Sequence, residues 1–133
     1  MKKLVIVGCG YLANIIADAY LNGLLPLYDI VGVYSRTSSK ATLLSEKIKS
    51  GGRECLAASS LDELLALKPD ILVEAANPAA MKELAVKTLE NGTSIVTLSI
   101  GALADNNLLE KINSVANANG SRVYIASGAT GGF

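Results

Sequence analysis

The stretch LVIVGCGYLANIIA, residues 4–17, decides the fold. Residues 4–7 are apolar without alternation, which predicts a strand buried on both faces. Glycines follow at once, and apolar residues at helical spacing come next. Gly8, Gly10 and Ala13 have the G-x-G-x-x-G/A spacing of a turn that binds the phosphates of a dinucleotide.

Each small residue of this motif has a physical reason. Gly8 allows a sharp turn out of the strand, with backbone angles that a Cβ atom would resist. Gly10 leaves room for a pyrophosphate close to the backbone, and Ala13 keeps the helix near the strand. The N–H groups at the start of the helix suit a diphosphate. The alternative is a glycine turn between strand and helix that binds nothing.

The composition is that of one globular domain. The chain has 133 residues, of which 50% are hydrophobic and 18% charged, so disorder is not expected. Its 12 basic residues balance 12 acidic ones, which gives no net charge to attract nucleic acid or an anionic membrane. Asn14 and Asp18 interrupt the longest apolar stretch, and no secretory leader is evident. We therefore expect a cytoplasmic protein with no nucleic-acid or membrane partner.

The chemistry available within the chain is limited by one count, since the sequence contains no histidine. Histidine acid–base catalysis and histidine metal ligation from this chain are thereby excluded. Cys9 and Cys55 are far apart in sequence, without neighbours of a metal-binding type, so we interpret them as reduced structural residues. We expect neither a metal site nor a catalytic residue in this chain.

Strands and helices are predicted to alternate along the whole chain. This alternation predicts an α/β fold, a doubly wound parallel sheet of about six strands of the Rossmann type. The predicted strands are residues 4–7, 29–34, 54–57, 71–74, 94–99 and 122–126.

Two of the predicted helices have apolar faces that can be assigned from spacing. In the first helix, the apolar set at helical spacing is Leu12, Ile16, Ala19 and Gly23, and it is expected to face the sheet. In the second, Leu43, Leu44 and Ile48 are expected to do so.

The end of the second strand bears on the choice of cofactor. In a dinucleotide fold this point meets the adenosine ribose, where an acidic residue selects NAD and an arginine accepts the 2′-phosphate of NADP. This chain has Ser35, Arg36 and Thr37 there. Hydroxyl groups and a guanidinium suit a phosphate, so the sequence favours NADP, or the use of both NADP and NAD. The alternative is that Arg36 is a solvated loop residue.

The segment from Glu74 to Pro78 opens another helix, at the carboxyl end of the fourth strand. Asn77 fits the N-cap and Pro78 the first helical position. The small side chains of Ala75 and Ala76 would let a nicotinamide ribose approach the backbone there. A helix start that is merely well capped is the alternative.

Three segments together resemble a known family: GCGYLA at residues 8–13, VEAANPAAMKELAVKTLENGTSIVTLSIGALAD at 73–105 and RVYIASGATGGF at 122–133. They are similar to the cofactor half of L-aspartate dehydrogenases and, less closely, of homoserine dehydrogenases. The resemblance runs from residue 4 to residue 132. It implies NAD(P)-dependent oxidation of L-aspartate to iminoaspartate, or the reverse amination.

The resemblance also implies a role for individual residues at the cofactor, namely Gly8, Gly10, Tyr11 and Leu12 at the pyrophosphate, Ser35 and Arg36 at the adenosine ribose, Ala76, Asn77 and Ser99 at the nicotinamide ribose, and Ser127, Gly128 and Ala129 at the nicotinamide. Two positions depart from the family. Thr130 stands where an aliphatic residue is expected, which puts contacts to substrate or ring in doubt. Ala13 replaces the usual glycine, which the fold tolerates.

Members of this family carry a second domain that holds the amino-acid substrate and a catalytic histidine. Residues 1–133 are therefore expected to be the NAD(P)-binding domain, with little activity alone. A surface that the second domain would cover predicts association into a homo-oligomer. Three alternatives stay open: a homoserine dehydrogenase-like or sugar-dehydrogenase-like oxidoreductase, a non-catalytic NAD(P) sensor, and a domain that binds no nucleotide.

Overall fold

A computed structural model describes residues 1–97 and 106–125. Strands and helices alternate through this part of the chain, as the sequence predicts. The elements are β1 (Lys2–Val7), α1 (Tyr11–Leu21), β2 (Tyr28–Tyr34), α2 (Ser38–Lys49), β3 (Leu56–Ala58), α3 (Leu61–Leu65), β4 (Ile71–Glu74), α4 (Pro78–Glu90), β5 (Ser94–Thr97), α5 (Asn106–Asn119) and β6 (Val123–Ile125).

The strands form one six-stranded sheet in the order β3-β2-β1-β4-β5-β6. All five neighbouring pairs are parallel, which confirms the doubly wound α/β prediction. The strand order reverses between β1 and β4, where Val7 lies beside Glu74. In sheets of this kind ligands bind outside the carboxyl ends of the strands at such a reversal.

Side chains of β1 alternate between two hydrophobic clusters, one on each face of the sheet. Leu4 and Ile6 pack on the face covered by α1 and α2. Val5 and Val7 pack on the opposite face, with residues of α3, α4 and α5. All four are buried, so the unbroken apolar run follows from a strand covered on both sides.

The predicted apolar face of α1 is wrong at Leu12, which is exposed, and at Gly23, which lies beyond the helix end at Leu21. Ala13 and Ala17 are fully buried, whereas the side chain of Leu12 is 44% exposed. Ile16 is only partly buried against the same cluster. The small side chains of Ala13 and Ala17 let this helix pack close to the sheet. Leu12 therefore lies outside the helix–sheet contact and is partly exposed.

A similar correction applies to α2. Leu44 and Ile48 are buried as predicted, but Leu43 is 67% exposed. The buried face follows the i, i+3, i+4, i+7 spacing from Ala41, which includes Ser45 and excludes Leu43. The buried Ser45 hydroxyl is satisfied because it donates a hydrogen bond of 2.6 Å to the carbonyl of Cys55.

Within residues 1–97 and 106–125, no helix is long and apolar enough to span a bilayer.

Candidate cofactor site

A cleft of about 300 Å³ opens at the carboxyl ends of β1, β2 and β4. Its position is the strand-order reversal, and its volume is at the lower end of small-molecule sites. Its lining residues are Val7, Gly8, Cys9, Gly10, Tyr34, Ser35, Arg36, Thr37, Lys40, Leu61, Ala75, Ala76, Asn77, Ala80, Glu83 and Leu84.

Gly8 lies where two turns of the chain touch. Its φ is +96°, which L side chains rarely adopt. A Cβ atom added here would lie 2.8 Å from the carbonyl carbon of Ala75 and 2.8 Å from the nitrogen of Ala76. The glycine is therefore required by backbone conformation and by the contact between the β1–α1 turn and the β4–α4 turn.

Gly10 differs from Gly8 because the protein itself does not require a glycine there. Its φ of −91° is open to any residue, and an added Cβ would meet no described atom within 4 Å. Gly10 is the N-cap of α1 and lines the cleft. Space kept free above a helix N-terminus is what a closely approaching phosphate needs.

The β4–α4 turn forms the opposite wall and is held by a buried carboxylate. Glu74 is 0% exposed, and its Oε2 accepts hydrogen bonds from the backbone N–H groups of Ala76, at 2.8 Å, and Asn77, at 2.9 Å. The hydroxyl of Thr97 donates to Glu74 Oε1 at 2.7 Å. Asn77 then caps α4, its Oδ1 accepting from the Ala80 N–H at 2.9 Å, which confirms the predicted N-cap.

The third side of the cleft, after β2, is polar and basic. The Ser35 hydroxyl accepts a hydrogen bond from the Thr37 N–H at 3.2 Å. Arg36 Nη2 donates to both carboxylate oxygens of Glu83, at 2.9 and 3.0 Å. Lys40 adds a second cation to the lining. Two cations and two hydroxyls therefore converge where an adenosine ribose would lie in this fold.

Cys9 forms part of the cleft wall beneath these groups. Its thiol is buried, and the Sγ lies 3.7 Å from the carbonyl oxygen of Tyr34. Burial raises the pKa of Cys9 to about 11, although the nearby Lys40 charge and a hydrogen bond with Ser35 act to lower it. A thiol of this kind is protonated at neutral pH, which makes it a poor nucleophile.

The cleft brings together half of the twelve residues predicted for the cofactor site: Gly8, Gly10, Ser35, Arg36, Ala76 and Asn77. Tyr11 and Leu12 lie beside it in the first turn of α1, with their side chains exposed. Ser99, Ser127, Gly128 and Ala129 lie outside the described residues.

Sequence reasoning missed two charged residues of the cleft, Lys40 and Glu83. Lys40 lies in the first turn of α2, four residues after Arg36, and this nearness in sequence offered a usable signal. Glu83 gave no signal, because its partner Arg36 is 47 positions away in sequence.

The fold and the cleft together define a class of protein. A parallel sheet in this strand order, with a glycine turn between β1 and α1 at the reversal point, is a dinucleotide-binding α/β domain. Residues 8–126 match the family model described as "Homoserine dehydrogenase, NAD binding domain". The chain belongs to this family.

Curated relatives narrow the similarity to one branch. The chain is 40% identical, over all of its 133 residues, to L-aspartate dehydrogenase of Methanocaldococcus jannaschii, of which it covers 48%. It is 35% identical over 129 residues to the L-aspartate dehydrogenase of Methanothermobacter thermautotrophicus, and this match covers 96% of the chain and 47% of that relative. The chain thus spans about half the length of the curated relatives it matches.

Solved structures support the fold alone. The WlbA dehydrogenase from Bordetella pertussis, in complex with NADH and UDP-GlcNAcA, superposes with a TM-score of 0.75 at 16% identity, covering 93% of this chain and 36% of that one. KijD10, a 3-ketoreductase from Actinomadura kijaniata in complex with NADP, gives 0.75 at 18% identity, covering 94% and 37%. Neighbours of this fold thus include complexes with either nicotinamide cofactor.

Proposed function

We propose that this chain binds a nicotinamide dinucleotide in the cleft and serves as the cofactor-binding domain of an L-aspartate dehydrogenase-like oxidoreductase. Gly10 carries the proposal. Neither its backbone angles nor its packing require a glycine, yet it lines the cleft at the start of α1. A pyrophosphate lying against the backbone gives this position a reason to lack a side chain.

The residues around the cleft suit different parts of such a cofactor. Gly8, Gly10 and the first turn of α1, with Tyr11 and Leu12, would hold the pyrophosphate. Ala76 and Asn77 would border the nicotinamide ribose, in a turn that the buried Glu74 keeps in place. Ser99 and the segment from Ser127 to Ala129 stay predictions for the nicotinamide side.

The proposed reaction is hydride transfer between L-aspartate and the cofactor, whose nicotinamide supplies the redox chemistry. The role of this chain is to bind and orient the cofactor. We propose that the substrate site and the acid–base group belong to a second domain. The support is that the L-aspartate dehydrogenases it matches are about twice its length.

We further propose that the cleft prefers NADP. Arg36 and Lys40 would face the 2′-phosphate, and Ser35 and Thr37 line the cleft beside them. These four residues form the proposed phosphate corner of the cleft. A phosphate monoester carries a charge of about −1.5 to −2 at pH 7, and a guanidinium is well suited to bind it.

Calorimetric titration with NADP and, separately, NAD tests these assignments. We expect saturable binding of both, and Arg36→Ala should weaken NADP binding by about 10-fold or more, as for a lost hydrogen bond to a charged group, while leaving NAD within about twofold. Arg53→Ala is the matched control, because Arg53 pairs with Asp29 at the other end of β2.

Each proposal has its own contradicting outcome. Absence of binding of both cofactors would contradict the proposed function. Tighter binding of NAD, unaffected by Arg36→Ala, would keep the nucleotide site and refute the NADP preference. For the substrate, L-aspartate oxidation by the full-length enzyme is the assay, and turnover of homoserine instead would refute that assignment.

A further inference from the structure

We infer that Glu83 competes with the 2′-phosphate of NADP for Arg36, and so sets how strongly the cleft prefers NADP over NAD. This inference rests on the proposed function. It concerns a residue of α4 that lies far along the chain from the glycine turn and from the end of β2.

Glu83 binds directly to Arg36, the residue proposed to bind the 2′-phosphate. Arg36 Nη2 contacts both carboxylate oxygens of Glu83, at 2.9 and 3.0 Å. Both residues line the cleft, so their ion pair stands at the entrance to the proposed phosphate corner. Nη2, held in this way, must change partner before it can donate to a phosphate alongside the other N–H groups of Arg36.

The exposure of the pair makes such an exchange easy. The side chains of Arg36 and Glu83 are 71% and 67% exposed. Ion pairs this exposed contribute little to stability, because water and salt screen them. Arg36 can therefore leave Glu83 for a dianionic phosphate, at a cost that only NADP has to meet.

The competition affects NADP alone. Lys40 lines the same cleft and supplies a second cation for the phosphate, which limits how much NADP loses to the Arg36–Glu83 pair. NAD has a neutral 2′-hydroxyl and can bind with the Arg36–Glu83 pair intact. Glu83 accordingly weakens NADP binding, through its hold on Arg36, and leaves NAD binding nearly unchanged.

The test measures NADP and NAD affinities of Glu83→Gln by calorimetry at low ionic strength. Glutamine keeps the size of the side chain and removes its charge. We expect NADP affinity to rise by about 2- to 5-fold and NAD affinity to change by less than about 1.5-fold. Glu90→Gln is the matched control for net charge, since Glu90 ends α4 and borders a different surface near Asp62 and Lys87.

A second measurement, of Glu83→Gln in the Arg36→Ala variant, separates this mechanism from simple repulsion between Glu83 and the phosphate. In Arg36→Ala the Glu83→Gln gain in NADP affinity should vanish, because the contested group is gone. A gain that persists in Arg36→Ala would overturn the inference, as would an unchanged NADP-to-NAD ratio in Glu83→Gln. Both results would leave nucleotide binding itself intact. If the unmodified chain binds neither cofactor, the proposed function falls and this inference falls with it.

Discussion

Two glutamates on either side of Asn77 show how differently one side chain can be used. Glu74 is completely buried and accepts three hydrogen bonds, two from backbone N–H groups and one from Thr97. Glu83 lies nine residues further on, is mostly exposed, and has Arg36 as its partner. Glu83 lines the cleft, and Glu74 holds the β4–α4 turn that forms its wall.

The two glutamates have different roles: the contacts of Glu74 shape the cleft, and the contact of Glu83 can change when a ligand binds. A buried carboxylate with all of its partners in place is costly to disturb, since removing it leaves backbone donors without acceptors. An exposed ion pair is inexpensive to exchange. The Glu74 contacts therefore fix the backbone of the wall, whereas the Arg36–Glu83 pair is available for binding.

The largest expected effect comes from Glu74→Ala. It removes the acceptor for Ala76, Asn77 and Thr97 and should lower the free energy of unfolding by about 3–5 kcal/mol, because each buried donor left without an acceptor costs about 1–3 kcal/mol. Glu74→Gln, which retains one acceptor oxygen, should lose less than half as much. Urea denaturation measures both. Equal and small losses would show that this wall does not depend on the carboxylate.

Gly8→Ala should cost about 2–4 kcal/mol, because the new Cβ would push the two turns apart and strain a positive φ. Gly10→Ala is its partner variant. It should cost less than about 1 kcal/mol in stability and yet weaken cofactor binding strongly, since its Cβ enters open cleft space. Thermal melting measures the stability of both variants, and calorimetry measures their cofactor binding. If Gly10→Ala unfolded the chain or left binding intact, the binding role assigned to Gly10 would be contradicted.

The buried thiols give a pH-dependent test of the interior. Burial raises the pKa of both Cys9 and Cys55 from 9.0 to about 11, so above pH 9 the unfolded chain releases these protons first. Their contribution to stability is therefore complete below pH 9 and lost as pH rises towards 11. At pH 10 the loss is about 1.4 kcal/mol for each thiol.

Urea unfolding at pH 8 and pH 10 measures this effect. The double variant Cys9→Ala, Cys55→Ala is the reference, because it keeps every other ionisable group of the chain. A wild-type loss between the two pH values no larger than the loss in the double variant would show that the thiols do not contribute.

The smallest effect is expected on the exposed side. Glu83→Gln should change the free energy of unfolding by no more than about 1 kcal/mol, because its ion pair is solvated. The same urea titration as for Glu74 makes the comparison direct. A loss near that of Glu74→Ala would remove the distinction between the two glutamates.

Much of the fold followed from local sequence. The strand at residues 71–74 has the predicted limits, and the cap at Asn77 is correct, because both depend on neighbouring residues. Some strand limits differ by one or two residues, as at β3, which is predicted at 54–57 and found at Leu56–Ala58. The larger errors lie where packing between elements decides which side chains are buried. Leu12 and Leu43 have apolar side chains at plausible helical spacing, yet the closeness of α1 and α2 to the sheet turned other residues inward.

The candidate site divides in the same way. Gly8 and Gly10 could be identified because a glycine spacing is local. The partners of Glu74 do not follow from the sequence, and the structure shows them to be two backbone amides and Thr97. Glu83 enters the cleft only because the sheet brings α4 beside the end of β2, a contact between residues distant in sequence.

The sheet order has a consequence for how the chain assembles. Four of its five strand pairs join consecutive strands, whereas β1 and β4 pair across some 67 positions, with Leu4 beside Ile71. Each half can form around near neighbours, and the seam between β1 and β4 has the longest loop to close. The cleft lies on that seam. A dinucleotide bound there would hold both halves at once, so we expect a chain cut between β3 and β4 to reassemble more tightly when cofactor is present.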